Sequence, residues 1–168
     1  MFPSPTRRTA AVVVLASLAV LPAVPAHAAA QTCFSVNGMA DAACTPGAFN
    51  SDVAQGTIGS TICVSGWTAT VRPSSSYTTR LKNEQKIAYG EADIPNTGLE
   101  EDHLVPLELG GAPADPANLW PEPRAGWIPS GETAGDKDTE ENRLKRQVCA
   151  GSLTLAEART QILTDWTR

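Results

Sequence analysis

The chain has 168 residues, with 13 Lys and Arg against 18 Asp and Glu, 42% hydrophobic residues and only 5% aromatic ones. That balance excludes a disordered or collagen-like chain, and the length suits one domain. Thirteen Gly and thirteen Pro point to a loop-rich domain around a small core.

Residues 1–30 read as an export signal. Arg7 and Arg8 form a positive start, Ala10 to Val24 is an apolar run, and Ala26-His27-Ala28 offers a small-x-small pattern that places cleavage near Ala28 to Ala30. The run is broken by Pro22 and is too short to span a bilayer comfortably, so a secreted protein with no membrane attachment after signal removal is expected. Residues 31–168 then form a single domain. Cleavage leaves 11 basic residues against 18 acidic ones, a net charge of −7, and one histidine, His103. Mechanisms that need two imidazoles are excluded.

Cys33, Cys44, Cys63 and Cys149 are even in number and contain no C-x-x-C pair, which in an exported chain favours disulfides over zinc. Four cysteines allow three connectivities, and the sequence alone does not choose. The preferred pairing is Cys33 with Cys44, a short local loop, and Cys63 with Cys149, a tie to a C-terminal helix; buried free thiols are the alternative.

Gln31 to Gln55 has weak periodicity and reads as irregular structure. Thr57 to Thr70 carries short β-branched runs, which predict one or two strand-like segments. Ser76 or Thr78 is placed to cap a helix running to about Tyr89, with Leu81, Gln85 and Ala88 on one side and Gly90 as its stop. Leu104 to Leu109 reads as a strand, Gly110-Gly111 and a Pro/Asp loop follow, and Asn118-Leu119-Trp120 returns, which makes a hairpin with a long loop. After a connector from Pro121 to Gly135, Lys137 to Cys149 is an amphipathic helix with Leu144 and Val148 four apart. Thr154 and Glu157 form a capping box for a last helix that buries Leu155, Ala158, Ile162 and Trp166.

Glu100-Glu101-Asp102-His103 immediately precedes the apolar run. Neighbours in an extended chain point to opposite faces, so Asp102 and His103 share one site only if the backbone bends there. By itself such a pair is most often a surface charge patch.

Asp102-His103 at a hairpin, Gly110-Gly111 at its turn, Asn118 on the return and an acid-rich helix after it resemble the HNH, or ββα-metal, endonuclease motif. The run Glu100 to Gly111 with Asn118-Leu-Trp-Pro-Glu122 is similar to small exported bacterial HNH-type nucleases. The likeness extends over about residues 44–166 through Cys44-Thr-Pro-Gly47, Thr61 to Gly66, Arg72-Pro73 and Lys137-Asp138-x-x-Glu141-Asn142. It implies an α+β single domain whose ββα core spans about 99–149, with additional helices and disulfides. It also implies hydrolysis of phosphodiester bonds in nucleic acid, DNA ahead of RNA.

In that reading His103 is the general base, since an imidazole near its ordinary pKa is largely neutral at physiological pH. Asp102 holds a divalent cation and Asn118 steadies the loop. Many HNH proteins complete the metal shell with a helix histidine, which this chain lacks; Asp138 and Glu141, three apart on one helix face, are the candidates, with Asn142 behind them. All-oxygen ligation implies Mg²⁺ or Mn²⁺. Arg143, Lys145 and Arg146, with Arg72, Arg80, Lys82 and Lys86, are candidate phosphate contacts. Trp120 and Trp127 flank the connector, where packing is favoured over stacking on a base. The acidic net charge opposes polyanion binding and motivates the rival reading, a catalytically silent exported scaffold that keeps the ββα frame. A phosphoesterase for small molecules is a third.

Overall fold

A computed structural model describes residues 32–124 and 134–167. The expected export signal and Trp127 lie outside these residues. The described chain is a small α+β unit. Helices α1 (Trp67–Val71) and α2 (Ser75–Ala88) precede strands β1 (Leu99–His103) and β2 (Leu119–Pro123), and α3 (Ala134–Cys149) and α4 (Leu155–Thr164) follow. The strands pair antiparallel, with Asp102 opposite Trp120, His103 opposite Leu119 and Glu100 opposite Glu122.

Local chemistry explains each boundary. Helix α2 starts two to four residues earlier than predicted, because the Ser74 hydroxyl, in place of Ser76 or Thr78, accepts from the Tyr77 N–H and caps it. It stops at Gly90, whose φ of 72° is the left-handed conformation that glycine adopts without strain. The capping box of Thr154 and Glu157 opens α4 as its spacing predicts.

Two strand expectations fail. Thr57 to Thr70 forms a 3₁₀ turn at Ile58–Ser60 and then α1. Its threonines bond locally: Thr61 Oγ1 donates to the Thr57 carbonyl and Thr70 Oγ1 to the Trp67 carbonyl. Such bonds offer the backbone an alternative to a ladder. Leu104 to Leu109 is no strand either. Pro106 has no N–H to give a ladder, its carbonyl accepts from both Leu109 and Gly111, and Leu107–Leu109 winds into a 3₁₀ turn. The strand lies one step earlier, on the charged run Leu99–His103 itself.

Both disulfides form as preferred, Cys33–Cys44 and Cys63–Cys149, with separations of 11 and 86 residues. The main core joins Val105 and Leu109 of the loop to Leu144 and Val148 of α3, to Leu155, Ala158 and Ile162 of α4, and to Trp166 just beyond it. A smaller cluster packs Trp120 on Tyr89, Leu104 and Cys33. Each fully buried aliphatic side chain contributes about 1.5–3 kcal/mol, so the loop after β1 is held as firmly as a core element.

Candidate active site

The loop from Leu104 to Asn118 is organised by one side chain. Asn118, fully buried, accepts from the Val105 N–H at 2.9 Å and donates through Nδ2 to the carbonyls of Val105 and Ala112, each at 3.0 Å. A carboxamide is suited to this because it offers donor and acceptor on one planar group. Gly111 makes the closure possible: a Cβ there would lie 1.8 Å from the Val105 carbonyl oxygen. Asn118 itself lies just before β2, at the end of a 3₁₀ turn, and not on the returning strand that the sequence predicts.

Alternation along β1 separates Asp102 from His103. Asp102 reaches toward α3. There the Lys137 ammonium, fully buried, donates to Asp102 Oδ2 at 2.5 Å, to Glu141 Oε1 at 2.7 Å and to the His103 carbonyl at 3.0 Å. Glu122, also buried, adjoins Asp102 and Lys137. Burial drives the Glu122 carboxyl well above the usual range, with the Asp102 charge adding to it. Burial likewise raises Glu141 to about 7, although Lys137 opposes the shift. For Lys137 burial favours the neutral amine, but the surrounding Asp102, Glu141 and Glu122 outweigh it and hold the ammonium charged.

His103 takes the other side. Only 5% exposed, it lies 2.8 Å from the Pro113 carbonyl through Nε2. A carbonyl only accepts, so Nε2 carries the hydrogen and Nδ1 is the ring's accepting nitrogen. Burial lowers its pKa below the ordinary 6.5, with the Pro113 bond and Asp102 opposing and Arg72 and Lys137 reinforcing. The imidazole is thus a neutral base at neutral pH.

His103 lines a cleft of about 290 Å³ with Arg72, Thr78, Lys82, Glu100, Glu101 and Arg124. Three cations from separate segments meet there. Arg124 pairs with Glu100 at 2.9 Å, and Lys82 donates to the carbonyls of Asn96 and Leu99. Glu101 sits two positions before His103, on the same side of β1. Burial raises it to about 8 against the pull of Lys82, and both its oxygens are buried without a hydrogen-bond partner among the described residues. At neutral pH Glu101 is a protonated acid lining the same cleft as a neutral imidazole, the divergence of pKa values that acid–base chemistry uses.

The other expected residues are placed as follows. Asp138 is exposed and, besides the burial that raises its pKa, feels Asp102, Lys137, Arg124 and Arg72. It does not contact the Lys137 ammonium. Arg143 is engaged with Glu140 and Gln147, and Lys145 with Glu108 at 2.9 Å. Arg146 is exposed on α3. None of these three lines the His103 cleft; Arg72 and Lys82 do. Trp120 is buried against Tyr89 and not displayed for stacking.

Lys137, Glu122, Glu101 and Arg124 were not singled out from the sequence. One signal for Lys137 was present: 137, 141, 144 and 148 are spaced by four, three and four, so Lys137 and Glu141 continue the buried stripe of Leu144 and Val148.

The three oxygens around Lys137 Nζ are the donor type a hard divalent ion takes. The point on which they converge is filled by the ammonium, and among the described residues no group of three or more His, Cys, Asp or Glu is arranged to hold a metal ion. As folded, these residues do not fit a divalent ion there. In comparisons with known proteins, no family model, curated protein or solved structure matches the chain.

Proposed function

We propose that this chain is an exported HNH-type phosphodiester hydrolase acting on nucleic acid, with its chemistry in the His103 cleft. The observation that carries the reading is the meeting, in one cleft, of a neutral imidazole with fixed tautomer, a protonated carboxyl and three cations. His103 Nδ1 takes a proton from the attacking water as its oxygen bonds to phosphorus. Glu101 gives its proton to the oxygen that leaves, while Arg72, Lys82 and Arg124 balance the charge of the pentavalent transition state. No step passes through a metal ion. Two disulfides, which persist in oxidising compartments, support export.

The test is cleavage of plasmid DNA and of single-stranded RNA by the purified protein, with EDTA and with Mg²⁺ or Mn²⁺. Wild type is expected to cleave and His103→Ala to lose about 10²–10⁴-fold, the usual contribution of a general base. Equal cleavage by the two proteins, or none under any condition, refutes the reading. The second reading, a silent scaffold, is favoured by one observation: Asp102 and Glu141 are locked together by a buried lysine. Absence of all cleavage, with folding intact, would select it.

A further inference from the structure

We infer that Lys137 is a resident cation, an ammonium that takes the place of a divalent ion between Asp102 and Glu141 and closes that acidic pocket to metal. The geometry carries this. An ammonium has three N–H donors and no acceptor, and the Lys137 ammonium has three oxygens, one from Asp102, one from Glu141 and one from the His103 backbone, at hydrogen-bond distances of 2.5 to 3.0 Å. Its donor capacity is filled. The side chain is fully buried, so the ammonium is not a surface group that has folded back onto two acids.

The same point has the makings of a cation site without the lysine. Two carboxylates and a carbonyl arrive from separate elements, Asp102 and the His103 carbonyl from β1 and Glu141 from α3. A fourth oxygen group, Glu122, adjoins them from β2, is 2% exposed and keeps Oε1 without a hydrogen-bond partner among the described residues. Removing the ammonium uncovers oxygen ligation of the kind that Mg²⁺ and Mn²⁺ accept. Binding there needs no chemistry in the His103 cleft, so this inference stands or falls separately from the proposed activity.

The experiment follows Mn²⁺, by its free-ion paramagnetic resonance signal, and the thermal midpoint with and without Mn²⁺ or EDTA, on wild type, Lys137→Ser and Lys137→Ser/Glu141→Gln. Wild type is expected to bind no more Mn²⁺ than Asp102→Asn does, and its midpoint to ignore both additions. Lys137→Ser is expected to melt lower, to bind one Mn²⁺ at least about tenfold tighter than wild type, and to regain midpoint as it does so; the added Glu141→Gln abolishes both. If Lys137→Ser is unfolded in EDTA, recovery of its fold by Mn²⁺ but not by K⁺ supports the inference. Failure to recover in either overturns it. So does a wild-type protein that binds one Mn²⁺ through Asp102 and Glu141, or a folded Lys137→Ser that binds none.

Discussion

Replacing Asn118 by alanine is expected to loosen the whole loop that carries the site. The substitution strips partners from the Val105 N–H, the Val105 carbonyl and the Ala112 carbonyl, all in buried residues. A buried polar group left unpaired costs about 1–3 kcal/mol. With water reaching one of the three, the loss is about 3–5 kcal/mol, a large part of the 5–15 kcal/mol typical of a domain. Asn118→Asp is expected to do no better, because a second oxygen then faces two carbonyls. Urea denaturation with the disulfides intact measures the loss. Because Pro113 follows Ala112 and its carbonyl holds His103 Nε2, a further readout exists that plain destabilisation does not move. In folded Asn118→Ala the imidazole ¹⁵N shifts are expected to show a growing share of the tautomer with hydrogen on Nδ1. A stability loss below about 1 kcal/mol, well under the cost of one unpaired group, together with an unchanged tautomer would refute the assignment of Asn118 as the loop's organiser.

Opening Cys63–Cys149 by paired alanine substitution is expected to cost about 4.5 kcal/mol and opening Cys33–Cys44 about 3 kcal/mol, from the chain-entropy relation and separations of 86 and 11 residues. Thermal denaturation of the two variants gives the order. Gly111→Ala is expected to prevent accumulation of folded protein, since its Cβ would overlap the Val105 carbonyl, whereas Gly56→Ala, with nothing within 4 Å, is neutral to soluble yield. Cleavage is expected to fall on acidification with a midpoint below 6.5, because protonation removes the accepting Nδ1 and burial lowers the His103 pKa; a rate profile with its acid limb above 6.5 contradicts this. Arg72→Ala is expected to weaken DNA binding at every sequence alike and to reduce the log–log salt slope by about one, as loss of a single phosphate contact does.

The parts of this fold that could be read from the sequence are those in which one local rule acts alone. The capping box at Thr154, the paired Leu144 and Val148, the burial of Leu155, Ala158, Ile162 and Trp166, and the use of the cysteines as disulfides followed spacing and chemistry directly, whereas the pairing was one of three open to the sequence. The strands did not. Leu104 to Leu109 has the composition of a strand, but its four aliphatic side chains, Leu104, Val105, Leu107 and Leu109, are all buried with no alternation, which a proline-bent loop pressed into the core achieves and a half-exposed strand does not. The actual strand, Leu-Glu-Glu-Asp-His, has weak intrinsic preference for extended structure; pairing with Leu119–Pro123 and contacts from α2 and α3 hold it. In the site, Asn118 bonds within its own hairpin loop, to Val105 and Ala112, contacts that lie close in sequence. Lys137 was not singled out, although its place on one stripe with Leu144 and Val148 marks it for burial.

The acidic composition also takes a different meaning once the residues are placed. A net charge of −7 for residues 31–168 counts every carboxyl as ionised. Around β1 and β2 that count fails: burial raises Glu101 to about 8 and Glu141 to about 7, and moves Glu122 well above its usual value, so much of the local acid is protonated at neutral pH. Lys137 balances what remains on the α3 side, and Arg72, Lys82 and Arg124 dominate the cleft side. The field a phosphate meets at His103 is therefore set by these cations over distances near the Debye length, about 8 Å at physiological salt, while the acids spread over the rest of the surface are screened. An acidic protein and a polyanion-binding cleft are compatible for this reason, and the burial that protonates Glu101 removes a repelling charge from that cleft.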